Sequence, residues 1–415
     1  MRTYDLILDL IIYSFWIFFY FEIFKTMSKK KSPDLFLDSN SDEAEFKGAP
    51  GQKISLSGIL PGQIIRNMIE NGEIWSQGNI SEEQIQPASL DLRLSDIAYR
   101  IRASFLPSEG SVQEKLTELA LHKIDISDGA VLETGCVYLV PLMEALSLPE
   151  RIKAISNPKS STGRVDVFTR LICDGSHEFD KIPGGYKGHL WLEISPRTFP
   201  VIVRQGTRLN QMRFRRGNTK SSDKELKKLH IEDNIVFNGK ADIAEGLAIS
   251  VNLKAANEDS IIGYKAKRHA GLIDLDKPNK YKIAKFWDPV FMNDESRIIL
   301  DPGEFYILAS HESIAVPPSH AAEMVPFNPS IGEFRVHYAG FFDPGFGHGS
   351  SDGEGSKAVL EVRGYDVPFI LEHNQIVGRL MYEKLTEFPE KFYGSSIGSN
   401  YQKQNLRLSK HFIQS

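Results

Sequence analysis

The chain has 415 residues, enough for two or three domains with a sizeable buried core. Its 49 Lys and Arg against 54 Asp and Glu leave a net charge of −5, which argues against a nucleic-acid partner and requires any anionic ligand to be met by a local cluster of cations. Cys136 and Cys173 give neither a disulfide framework nor a metal-ligand spacing, as expected of a reducing, cytoplasmic setting.

Residues 1–26 form an apolar extension. Its core, Leu10 to Phe21, is too short to span a bilayer comfortably and is bounded by Asp9 and Glu22. It lacks the cationic start and small-residue cleavage site of a signal peptide. We read Met27 as the true start, with a weak membrane anchor as the alternative. Residues 27–56 are polar and charged, and read as a disordered lead-in. Helical periodicity is scarce and is expected at Ile64 to Glu73 and at Glu114 to His122.

From there the chain repeats itself. Gly135, Pro149, Asn157-Pro158 and Arg164 recur as Gly303, Pro317, Asn328-Pro329 and Arg335, with the glycine-to-proline and asparagine-to-arginine spacings kept. Leu192-Glu193 and then Pro200 recur as Leu360-Glu361 and Pro368. Each proline is followed by an alternating run that ends at Gly206 or Asn374. Short alternating segments punctuated by Gly, Pro, Asn and Asp predict an all-β protein of two tandem barrels or sandwiches with few short helices. The divisions expected are a first barrel at 57–216, a linker at 217–245, a second barrel at 246–386 and a tail at 387–415. In the linker, Ser221-Ser222-Asp223 reads as a helix cap.

Three segments carry chemistry. Lys159-Ser160-Ser161-Thr162-Gly163-Arg164 packs two cations and three hydroxyls beside a glycine, the donor set of a phosphate-binding turn or of an ordinary polar loop. Leu190-Trp191-Leu192-Glu193 ends an apolar run on a carboxylate, where desolvation raises proton affinity and suits an acid or base; a solvent-facing strand residue is the plainer reading. Asp343, in Phe342-Asp343-Pro344-Gly345, sits in a strong turn former and is placed to bond a sugar hydroxyl. His230-Ile231-Glu232 matches the start of a zinc-deaminase signature, but no Pro-Cys-x-x-Cys follows it.

Gln86-Pro87-Ala88-Ser89-Leu90-Asp91-Leu92-Arg93-Leu94, Lys159 to Arg164 and Gly188 to Glu193 together resemble the dCTP deaminase branch of the dUTPase-like fold, in the long duplicated form found in some bacteria. The resemblance implies two distorted jelly-roll barrels and an assembly, a trimer or another pseudo-symmetric grouping of barrels, with active sites between barrels. It implies zinc-independent hydrolysis of dCTP to dUTP and ammonia. Glu193 would activate the water, with Ser160 and Arg164 organising water and base. Lys159, Ser161, Thr162, Gly163 and Trp191 would line the nucleotide, and Mg²⁺ would bridge the triphosphate oxygens. The second copy has lost the Lys-Ser-Ser pattern, reading Ser330-Ile331-Gly332-Glu333-Phe334-Arg335, yet alone keeps Asp-Pro-Gly. We therefore expect one composite site, with Ser160, Ser161, Arg164 and Glu193 from the first copy and Asp343 from the second. The tail would fold over the nucleotide with Lys391 on a phosphate. A dUTP diphosphatase or bifunctional enzyme is the alternative, and an inactive nucleotide-binding regulator the second.

Overall fold

Glycine-bounded alternation becomes sheet in both copies. The computed structural model describes residues 55–255, 260–326, 334–337, 340–348, 354–392 and 406–413. The apolar extension, nearly all of the lead-in, the second-copy turn at 327–333 and residues 393–405 of the tail lie outside them. Among the described residues no helix is long and apolar enough to cross a membrane.

In the first copy one sheet runs Gly58–Ile59, Arg208–Arg216, Ile152–Pro158, Lys181–Ile182, with Leu90–Arg93 also on Arg208–Arg216. The facing sheet runs Ala120–Asp125, Ile97–Ile101, Val137–Ser147, Lys187–Pro196, Val167–Cys173, with Ile74–Ser76 also on Val137–Ser147. The second copy repeats the plan. Leu247–Ser250, Ile376–Lys384, His320–Pro326 and Phe341–Phe342 form one sheet; Trp287–Phe291, Ile261–Ala266, Phe305–Ile314, Ser356–Gly364 and Phe334–His337 form the other. The alternation sends Leu190, Leu192 and Ile194 into one core and Leu360 and Val362 into the equivalent core of the second barrel.

Sheet register corrects one detail of the repeat. Pro158 lies opposite Asn210, and Pro326 holds the equivalent place opposite Gly378. Pro326, not Pro329, is thus the structural partner of Pro158. Arg335 falls inside the strand Phe334–His337, whereas Arg164 precedes its strand, so Arg335 is not the counterpart of Arg164. The Asn-Pro pair recurs in sequence, but ladder pairing, not spacing, decides equivalence.

Helix limits differ from the periodicity for local reasons. The first helix spans Gly62–Glu70 and stops at Asn71-Gly72, where Gly72 takes φ +73°. The second spans Val112–Leu119, opened by a capping box between Ser111 and Glu114. It stops early because Ala120–Asp125 pairs as a strand with Ile97–Ile101. The linker helix, Asp223–Asp233, starts at the expected cap, with Ser222 accepting from the Glu225 N–H. His230 and Glu232 sit on it, Glu232 paired with Lys228 at 3.5 Å in solvent.

The two barrels are not beads on a string. Val201–Val203 pairs with Ala130–Leu132 and, in parallel, with Ile273–Asp274 of the second copy. The first barrel's apolar core continues into Phe286, Trp287, Phe305 and Ile307 of the second copy and Leu408 and Phe412 of the tail. Trp287 stacks edge-on with Phe199 at 5.5 Å and Phe412 at 5.9 Å. Trp287→Ala should therefore cost about 3–5 kcal/mol. Urea denaturation should show this as one shifted transition, since the residue belongs to a core that both copies share.

Candidate active site between the barrels

Pro158 ends its strand, and Lys159 stays extended to open a single helical turn, Ser160–Gly163. The N–H groups of Thr162 and Gly163 bond the Lys159 carbonyl at 2.8 and 3.0 Å, and the Lys159 N–H bonds the Leu209 carbonyl at 2.8 Å. The Thr162 hydroxyl donates to the same Leu209 carbonyl at 2.9 Å. Thr162 and Gly163 are thus buried supports of the turn. Ser160 is half-buried and Ser161 buried. The Lys159 ammonium pairs with the buried Asp91 carboxylate, which also lies 3.7 Å from Arg208.

Arg164, at the end of the turn, is only 4% exposed. It donates to the Arg407 carbonyl at 3.2 Å, and its Nε lies 3.9 Å from Glu361 Oε1. Glu361 is the second copy's glutamate, projecting outward from Ser356–Gly364 into the seam. Burial holds its carboxyl well above the ordinary range, against the Arg164 charge, while Asp166 adds to the rise.

Glu193 stands elsewhere. It lies opposite Leu139 and Arg170 in its sheet, on the outer face of the first barrel. Its carboxyl is also raised by burial, countered by a Ser104 hydrogen bond and by Arg170 and Arg197. Its Oε2 has no hydrogen-bond partner. Trp191, on the same face, packs with Ile101, Val112, Leu116, Leu139 and Ile172, so within one chain it serves the Val112–Leu119 covering and not the turn. Within one chain, then, the glutamate brought to Ser160 and Arg164 is Glu361.

Asp343 is at the seam as well. Its carboxylate accepts from Arg213 at 3.3 Å, and Arg213 is fully buried, with its guanidinium 4.0 Å from the centre of the Phe341 ring. Burial raises the Asp343 carboxyl, and the charges of Asp91 and Lys159 reach it. The tail meets the turn through residues 406–413. The Ser409 hydroxyl donates to the Ser161 carbonyl at 2.9 Å, His411 Nε2 lies 2.9 Å from the Leu275 carbonyl, and the charges of Lys159 and Asp91 act on Lys410. Lys391 is placed apart from the turn, paired with Glu82 at 2.8 Å in the neighbourhood of Arg66.

Sequence reasoning missed Glu361 as a partner of Arg164, along with Arg213, Lys410 and Asp166. A signal existed for the first: two residues after the glutamate, the second copy carries Arg363 where the first carries Ser195. Among the described residues no three His, Cys, Asp or Glu side chains gather closely enough to cage a metal ion.

The family model for the N-terminal domain of 2'-deoxycytidine 5'-triphosphate deaminase matches residues 56–218, and the model for its C-terminal domain matches residues 222–412. A crystal structure of 2'-deoxycytidine 5'-triphosphate deaminase from Agrobacterium tumefaciens is 54% identical, with a TM-score of 0.77, covering 80% of this chain and 99% of that one. The chain belongs to the 2'-deoxycytidine 5'-triphosphate deaminase family. Its two barrels have the dUTPase-like fold that the motif resemblance implied. Shorter curated relatives match too. The "dCTP deaminase, dUMP-forming" of Beutenbergia cavernae is 29% identical over 162 residues, 38% of this chain and 78% of that protein. The "dCTP deaminase" of Haloarcula marismortui is 29% identical over 166 residues, with 38% and 79% covered.

Arg213 is the residue on which the seam's acids converge, with Glu383 3.9 Å away beside Asp343. Arg213→Ala should destabilise the protein by about 3–5 kcal/mol in urea or thermal unfolding, because it leaves the buried Asp343 carboxylate without its cation.

Proposed function

We propose that this deaminase-family chain hydrolyses dCTP to dUTP and ammonia at the seam, in deoxypyrimidine nucleotide metabolism, with Glu361 as the water-activating group. The observation that carries the reading is a buried carboxylate of raised proton affinity 3.9 Å from the guanidinium of a turn bearing Lys159, Ser160 and Ser161.

Glu361 takes a proton from water as the oxygen attacks C4 of the cytosine. The attack moves the C4=N3 electrons onto N3; Glu361 returns its proton to the exocyclic amine, the bond from C4 to that amine breaks and ammonia leaves, and the hydroxyl proton passes to N3 as the C4 carbonyl forms. Arg164 favours the ionised carboxylate for the proton pick-up and, with Ser160, orients water and base. A raised proton affinity suits this shuttle, since such a carboxylate is a stronger proton acceptor than an ordinary one. Lys159, Ser161 and Lys410 would supply charge and donors for the triphosphate, and Asp343, on the second copy's side of the seam, would take a sugar hydroxyl. The donors at the turn are cations and hydroxyls, which fit phosphate oxygens. Mg²⁺ would ride on those oxygens and offset their charge. The 406–413 strap closes over the turn and limits water. Zinc plays no part in this scheme, so a zinc chelator should leave the rate unchanged.

Glu193 is the second candidate, because its Oε2 is buried without a partner; it would need a turn from another chain. The two carboxylates separate by substitution. Glu361→Gln should lower ammonia release from dCTP by about 10²–10⁴-fold while dCTP still binds, and Glu193→Gln should change it by less than about threefold. The reverse result would move the chemistry to the Glu193 face. Product analysis on dCTP discriminates dUTP from dUMP with pyrophosphate, the outcome of the bifunctional alternative.

A further inference from the structure

One buried ion pair at the seam has no part in the chemistry above. Asp166 follows Arg164 by two residues, is fully buried and adopts φ +56°, the left-handed region. Its carboxylate accepts from the Thr198 hydroxyl at 2.5 Å and pairs with the guanidinium of Arg363 from the other barrel. Arg363 also donates to the Thr198 hydroxyl at 2.9 Å and to the Gly303 carbonyl. Arg363 is two residues from Glu361 on one strand, hence on the same face. One strand therefore carries Glu361 and Arg363, and one turn carries Arg164 and Asp166, in facing pairs. Glu193 has no such device, since Ser195 stands where Arg363 would be.

We propose that the Asp166–Arg363 pair is a positioning clamp that sets the separation and orientation of Arg164 and Glu361, making Asp166 and Arg363 positioning residues for deamination. The pair ties the turn to the strand one step beyond the working pair, where a buried ion pair, with Thr198 bonded to both partners, resists sliding of one barrel on the other. Asp166 also acts through its charge. The charged groups acting on Glu361 are Arg164 and Asp166 from the first barrel; the strap touches Arg164 through the Arg407 backbone carbonyl, Arg363 shares the strand of Glu361, and His337 lies opposite it in backbone register. Of these, Asp166 opposes ionisation of Glu361 and Arg164 favours it.

The inference rests on Glu361 being the water-activating group, and the test separates the two. Asp166→Asn keeps the left-handed backbone, which Asn tolerates, and removes the charge. It should lower kcat about 10- to 100-fold with KM for dCTP within about threefold, and move the acid limb of the pH–rate profile to lower pH. The sign follows from linkage: removing a neighbouring negative charge lowers the pH at which Glu361 ionises, so the base is active further into acid. If Asp166→Asn fails to fold because Arg363 is stranded, Asp166→Asn with Arg363→Met removes both charges and should fold, with the same lowered kcat but a smaller shift, because loss of the Arg363 charge acts in the opposite sense. Arg363→Lys should recover part of the kcat lost in Arg363→Met. A variant that loses thermal stability but keeps the wild-type kcat and acid limb overturns the clamp. Full activity of Glu361→Gln overturns the underlying assignment instead.

Discussion

Charge buried between the two barrels has to be paired across the seam, and that constraint organises the molecule. Asp166 meets Arg363, Arg213 meets Asp343, Arg215 meets Glu323 and Glu383, and Arg164 meets Glu361. A buried ion left alone costs several kcal/mol, so each pair penalises any sliding of one barrel relative to the other. The apolar cluster around Trp287 supplies adhesion but little directional information; the ion pairs supply register. The arrangement is heterologous. The turn of the first barrel meets the outer sheet face of the second, while the matching face of the first barrel is covered by its own helix, Val112–Leu119.

This asymmetry explains how two glutamates at equivalent strand positions come to differ. Glu193 and Glu361 both point away from their own barrel core, and both are desolvated. Glu361 faces a guanidinium and a hydroxyl-rich turn from a different barrel. Glu193 faces the loop and arginines of its own barrel. Raised proton affinity alone does not distinguish them; the neighbours contributed by the seam do.

Duplication relaxes the demands on each copy. When one turn and one facing strand suffice for a site, the other turn is free to lose its serines and lysine, and the other strand its arginine. The strap is accommodated in the same way: Phe412 is anchored in the shared core by Phe286 and Trp287, which leaves Ser409 and Lys410 held at the turn. The expectation of a composite site rested on Lys159 to Arg164 and Asp343, which come from different copies and lie at one seam. That Glu361 and not Glu193 stands beside Arg164 within one chain was not legible in the sequence.

The barrels, the repeat, the polar turn at Lys159 to Arg164 and the helix cap at Ser222 are written locally, in alternation, turn residues and capping pairs a few residues apart, and the sequence by itself determined them. Asp343 could be named because Asp-Pro-Gly is a local signal present in only one copy. The partnership of Arg164 with Glu361, the clamp of Asp166 with Arg363 and the strap's use of Lys410 join residues up to hundreds of positions apart. The Asn-Pro spacing even pointed to the wrong counterpart, because register is decided by ladder pairing and not by chain distance. Only the tertiary structure decided those contacts, since they depend on how two similar barrels pack, and buried charge admits one packing at this seam.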